Sequence, residues 1–93
     1  MMSAIPIDLK AVKKENIDRE ILRVGMIAEL DAINLYEQMA ALTSNENIKK
    51  VLMDIAKEEK THMAEFQALL LREDKEQVKE LEAGKKEVED LTG

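Results

Sequence analysis

The chain has no cysteine and no tryptophan, and among its 93 residues there are one tyrosine, one phenylalanine, one histidine, one proline and three glycines. Each shortage excludes something. Without cysteine there are no disulfides and no thiolate metal sites, which fits a reducing interior. With so few aromatic rings the core must be aliphatic and methionine-rich, and six methionines are present. With so few helix breakers, the prevailing Ala, Leu, Ile, Met, Glu and Lys favour helix nearly throughout. No apolar run is long enough to span a bilayer, and residues 1–10 hold no apolar run of signal-peptide length after a basic start. A soluble protein without a membrane partner is therefore expected. Basic residues are outnumbered, 14 against 20 acidic, for a net charge of −6. That balance argues against a nucleic-acid partner and suits a surface that tolerates or collects cations. No Gly-rich phosphate loop or nucleophile elbow occurs.

What remains is a helical pattern. Residues 1–15 read as an N-terminal tail, with Pro6 pushing Ile5 toward extended geometry and with Ile5, Ile7 and Leu9 available to dock on another subunit. The domain proper spans 16–93, with helices expected at about 17–42, 46–72 and 75–91. In the first, Ile21, Leu22, Gly25, Met26, Glu29, Ile33, Tyr36, Met39 and Ala40 recur at three- and four-residue steps on one broad face. Thr43-Ser44-Asn45 is a cluster of cap and turn residues. The second helix carries Ile48, Leu52, Ile55, Phe66 and Leu69 on its stripe, together with Glu59 and His62. Asp74 is placed to cap a third helix. Its stripe of Val78, Leu81, Val88 and Leu91 is thin, and Gly84 weakens it by about 1 kcal/mol relative to alanine. The fold class is thus all-α, a long antiparallel two-helix hairpin plus a short third helix. A chain this small buries a limited fraction of its surface, so a partner, metal or oligomer is expected to complete it.

Three polar residues sit where apolar ones belong. A turn of two or three residues between long helices makes them antiparallel. Glu29 lies 14 residues before Thr43, about 21 Å of helix. Glu59 lies 13 residues after Glu46, about 20 Å. The two carboxylates stand at nearly one height, and His62 is one turn further along the face that carries Glu59. Taken singly, a glutamate in an apolar stripe can snorkel, and a histidine there can be hydrogen-bonded and inert. Taken together at one level, two carboxylates repel unless a cation joins them, and oxygen and imidazole ligands suit Fe, Mn or Zn. The candidate metal-binding and catalytic residues are Glu29, Glu59 and His62.

The stretches AELDAINLYEQMA, residues 28–40, and VLMDIAKEEKTH, residues 51–62, resemble the ferritin-like and rubrerythrin superfamily. There, a Glu from each of two helices and a Glu-x-x-His from each of two others build a di-iron centre inside a four-helix bundle. The resemblance makes Glu29 the first-helix ligand, Glu59 the bridging carboxylate and His62 the imidazole ligand, with Tyr36 supporting or lining the pocket. This chain supplies only half of that set. Dimerisation about a twofold axis would complete a four-helix bundle, as in the encapsulated ferritin-like proteins, which the sequence resembles closely, above all the type fused to an encapsulin shell protein.

The resemblance implies a ferroxidase, oxidising Fe²⁺ with O₂ at a di-iron site shared by each subunit pair. It further implies a homodecamer built as a pentamer of dimers, storing iron inside an encapsulin nanocompartment in the cytoplasm. Two alternatives stand beside it. One is a rubrerythrin-like peroxidase, weakened by the lack of cysteines for a rubredoxin iron site. The other is a non-enzymatic helical assembly held by a structural metal such as Zn²⁺. The family often carries acidic residues beside the first ligand for ion approach. Here Ala28 precedes Glu29 and only Asp31 follows, so Asp31 is expected to be solvated and Glu58 and Glu65 to be surface charges able to attract Fe²⁺. No shell-docking peptide is seen at Glu89-Asp90-Leu91-Thr92-Gly93, which is another feature of the fused type.

Overall fold

The structure, a computed structural model, describes residues 8–93. Two short 3₁₀ turns, Leu9–Ala11 and Lys14–Asn16, lead into three helices: α1 (Ile17–Leu42), α2 (Glu46–Glu73) and α3 (Lys75–Thr92). Ile5 and Ile7, the expected docking residues of the tail, lie outside the described residues, as does the side chain of Leu9. Both 3₁₀ turns lie against α1.

α1 ends where Thr43 turns extended, at φ −79° and ψ 140°. The Thr43 Oγ1 accepts the Asn45 N–H at 3.1 Å. The Asn45 side chain then accepts the N–H groups of Asn47 and Ile48 at 3.0 and 3.1 Å, satisfying two of the orphan donors at the start of α2. A three-residue turn leaves no room for a crossover, so α1 and α2 run antiparallel and make most of the tertiary contact of the fold. A single residue separates α2 from α3. Asp74 closes α2, donating its N–H to the Leu70 carbonyl at 2.9 Å, and opens α3, its carboxylate accepting the Gln77 N–H at 3.0 Å.

The seam between α1 and α2 differs from the stripes read in the sequence. Among the described residues, the buried apolar side chains are Ile33, Ala40, Ala56 and Leu70. Two of the four are alanines, because small side chains let the helix backbones approach. Ile21, Ile48 and Leu69, expected in the core, are 44%, 50% and 46% exposed. They lie on the outward part of stripes too wide for one opposing helix to cover. On α3, Val78, Leu81, Val88 and Leu91 are all exposed, and a Cβ at Gly84 would meet only open space.

The chain is correspondingly spread out. Its radius of gyration is 16.5 Å, against about 12 Å for a compact domain of this length. Its accessible surface is 7325 Å², against about 5,500 Å² for a compact monomer of this mass. No described helix is long and apolar enough to cross a membrane.

One close approach sets the helix spacing between the middle and the open end of the hairpin. A Cβ at Gly25 of α1 would lie 2.9 Å from three carbons of the Phe66 ring on α2. Alanine there gains about 1 kcal/mol of helix propensity, but overpacking costs about 1–3 kcal/mol. Gly25→Ala should therefore lower stability on balance, seen as a lower denaturant midpoint in guanidinium. Adding Phe66→Leu, which vacates the ring's volume, should restore much of the loss.

Candidate metal centre

Glu29 is presented by α1, and Glu59 and His62 by α2, which puts the acid and the base of the second helix three residues apart on one face. The antiparallel register brings all three together, each offering one ligand atom within 4.8 Å of the others. His62 Nδ1 lies 3.5 Å from Glu59 Oε2 and 3.7 Å from Glu29 Oε2. These separations are long for hydrogen bonds. They are close to those of donor atoms around one ion, since bonds of about 2.0–2.2 Å set adjacent ligands roughly 3.0–3.5 Å apart.

Burial within one chain is uneven. The side chains of Glu29 and Glu59 are 20% and 19% exposed, whereas His62 is 47% exposed. His62, which shares a stripe with apolar residues, stands in a single chain on an open face, because nothing from the same chain passes over it. Glu29 Oε2 is nonetheless shut off from solvent and has no hydrogen-bond partner. An unsatisfied buried acceptor costs about 1–3 kcal/mol, and a carboxylate in that position calls for a cation. The donor set is two carboxylates and an imidazole, a combination that suits first-row transition metals. The residues present therefore fit a metal ion.

The surroundings add groups that the stripe pattern did not single out for this place. Phe66, whose ring packs on Gly25, and the exposed Leu69 line with Glu65 an open hollow of about 410 Å³ shared with Glu29 and His62. Glu65 is exposed but shares this hollow, and its place one turn beyond His62 was the available signal. Glu58 is exposed and is not among the residues lining it. Asp31, expected to be solvated, is part-buried and engaged by another group. Tyr36 is part-buried on α1, seven residues and about 10 Å along the helix axis from Glu29, and does not belong to the three-residue cluster. Beside Glu59, Lys60 Nζ approaches Glu37 Oε2 of α1 at 3.4 Å. Both side chains are well exposed, so this pair adds little stability.

Comparison with known proteins gives consistent matches. The family described as EncFtn-like matches residues 6–86. The chain is 58% identical over 84 residues to a ferritin-like-encapsulin shell fusion protein of Pyrococcus furiosus, covering 90% of this chain and 24% of that protein. It is 41% identical over 69 residues to the encapsulin nanocompartment cargo protein EncC of Myxococcus xanthus, covering 71% of this chain and 53% of the relative. Among solved structures, the crystal structure of the encapsulated ferritin domain from Pyrococcus furiosus superimposes with a TM-score of 0.86 at 52% identity. That match covers 100% of this chain and 97% of the other.

The stranded oxygen of Glu29 yields a test independent of activity. Glu29→Met removes the buried acceptor while keeping a flexible stem. In chelator it should be as stable as the native chain or more so, by about 1 kcal/mol. Added Co²⁺ should raise the denaturant midpoint of the native protein and leave that of Glu29→Met unchanged.

Proposed function

The chain belongs to the EncFtn-like family, and on that premise we propose that it is a ferroxidase that oxidises Fe²⁺ to Fe³⁺ with O₂ at a site completed by a second copy. The observation that carries this reading is the convergence of Glu29, Glu59 and His62 around a shielded, unpartnered carboxylate oxygen. One chain offers two carboxylates and one imidazole. Two chains related by a twofold axis offer four and two, the ligand complement of a di-iron carboxylate centre in a four-helix bundle. Surface accounting supports the pairing. The accessible area of each chain exceeds that of a compact monomer by roughly 1,800 Å², more than the roughly 800 Å² that each partner buries in a standard protein interface.

The metal supplies the one-electron chemistry: two Fe²⁺ substrates each give one electron to dioxygen, which takes up two protons from solvent and leaves as hydrogen peroxide. The protein's part is electrostatic and geometric. Oxidation raises the charge on each ion, so Glu29 and Glu59 stabilise the product more than the reactant and favour the reaction. His62 contributes a neutral donor, which limits the negative charge of the site and leaves Fe³⁺ able to depart. Phe66 and Leu69 restrict solvent on one side, which strengthens these charge interactions. Tyr36 is proposed to line the approach from the other end of α1.

The setting follows from the relatives. One is fused to an encapsulin shell protein and another is an encapsulin nanocompartment cargo, and the chain spans about a quarter and about half of their lengths. An encapsulin shell that encloses and stores the released Fe³⁺ is the proposed partner. A homodecamer of five dimers is the proposed assembly.

Stopped-flow absorbance of Fe²⁺ oxidation tests the assignment. Glu59→Ala and His62→Ala should each slow the reaction by at least about 10- to 100-fold, the loss seen when even a group supporting a metal ligand is removed. Iron should saturate near one ion per chain, and activity per chain should fall on dilution as the dimer dissociates. Native rates in both variants would rule the site out. Metal binding without any oxidation would leave a structural metal module instead.

A further inference from the structure

Asp74 is the one buried charged residue among those described, at 6% exposure. The metal centre makes no use of it. It sits at the single-residue elbow between α2 and α3, extended at φ −131° and ψ 91°, and its groups are fully engaged. The backbone N–H is given to Leu70 of α2, and the backbone carbonyl accepts the Val78 N–H of α3 at 3.3 Å. Oδ1 accepts the Gln77 N–H at 3.0 Å. Oδ2 accepts from the Arg23 guanidinium of α1 at 3.0 Å. All three helices thus meet at one residue, whose side chain joins α1 to α3 and whose backbone N–H closes α2.

Little else holds α3. Within one chain its contacts with α2 are few, its apolar residues are exposed, and Leu81 borders an open groove with Leu30, Leu70 and Leu71 rather than filling it. A helix with so little packing takes its direction from its root. We propose that the Arg23–Asp74 pair is a latch that sets the angle of α3 against the α1–α2 hairpin, and that neutralising either partner frees α3 to swing about the elbow.

The latch has a defined pH range. The Gln77 N–H holds the Asp74 carboxyl below its ordinary value of 3.8, aided by the Arg23 hydrogen bond and by the charges of Arg19 and Arg23, while desolvation acts the other way. Arg19 and Arg23 of α1 are the charged groups that act on it. α2 meets it through the Leu70 carbonyl, and α3 through the N–H groups of Gln77 and Val78. A carboxyl lowered in the folded state stabilises that state fully above its unfolded value and loses the contribution as pH falls through the folded value. The latch is therefore closed at neutral pH and opens only as pH falls through a folded value that lies below 3.8.

The absence of native cysteine makes the test direct. Spin labels at Asn34→Cys on α1 and Lys85→Cys on α3, both exposed sites, report the α1–α3 distance by double electron–electron resonance. Labelled full-length chains are diluted into a large excess of unlabelled protein so that only distances within one chain are read. A second pair, Asn34→Cys and Lys50→Cys, reports on the hairpin. Asp74→Asn keeps a good helix-capping side chain and removes the charge, and Arg23→Met keeps the stem. At neutral pH the native latch should give a single narrow α1–α3 distribution, which both variants should lose while the hairpin distance stays narrow. The native protein should lose it as pH is lowered through the folded value of Asp74, which lies below 3.8. A distribution that stays narrow in Arg23→Met overturns the proposal. Should that variant unfold the hairpin as well, Asp74→Asn and the acid series decide, and a narrow peak persisting in either overturns it.

Discussion

Two long amphipathic helices, each with an apolar face wider than one neighbour can cover, set the terms for the whole molecule. Pairing them in a hairpin hides Ile33, Ala40, Ala56 and Leu70 and, among the described residues, leaves eight of their large apolar side chains exposed. Burial of apolar surface is worth roughly 25 cal/mol per Å², so a surplus of this size is a strong drive toward association. The open imidazole, the unfilled groove beside Leu81 and the bare stripe of α3 all follow from this incomplete coverage.

The same incompleteness explains where the ionisable residues are tolerated. Glu29 and Glu59 sit at mid-height of the hairpin, partly shielded, where carboxylates are costly unless a cation or donor meets them. His62 Nδ1 comes near both oxygens but is too distant to satisfy Glu29 Oε2 by a hydrogen bond. A metal ion turns mutual repulsion into shared attraction, and under the proposed function a second chain supplies the remaining ligands and the missing cover together. Assembly and chemistry would then depend on one surface, and a dissociated chain would keep the residues but not the site.

Much of this was legible in the residue pattern. The three helices follow from apolar periodicity, the cap residues at Thr43–Asn45 and Asp74, and the scarcity of breakers; α2 runs one residue further than expected, to Glu73, as does α3, to Thr92. The level placement of Glu29 and Glu59 follows from counting out of the turn, because helix rise is fixed. Other features were not legible. Ala56, the most buried residue of the seam at 1% exposure, carries no strong hydrophobic signal. Gly25 looked like one more small residue on the stripe, and its role as a seat for the Phe66 ring depends on an inter-helix distance. Ile48 and Leu69 looked like core because periodicity reports a face and not what covers it. Arg23 and Asp74 are 51 residues apart, and no local rule pairs them.

By itself, then, the sequence determined what is periodic or local: helix extents, caps, the antiparallel hairpin, and a Glu-x-x-His opposite a glutamate at one height. These depend on rise per residue and side-chain direction, which any helix obeys. The tertiary structure decided how close the backbones come, which apolar residues stay uncovered, that one carboxylate oxygen is left without a donor, and where α3 points. Those are set by distances between side chains far apart in the chain, and such distances exist only once the helices have packed.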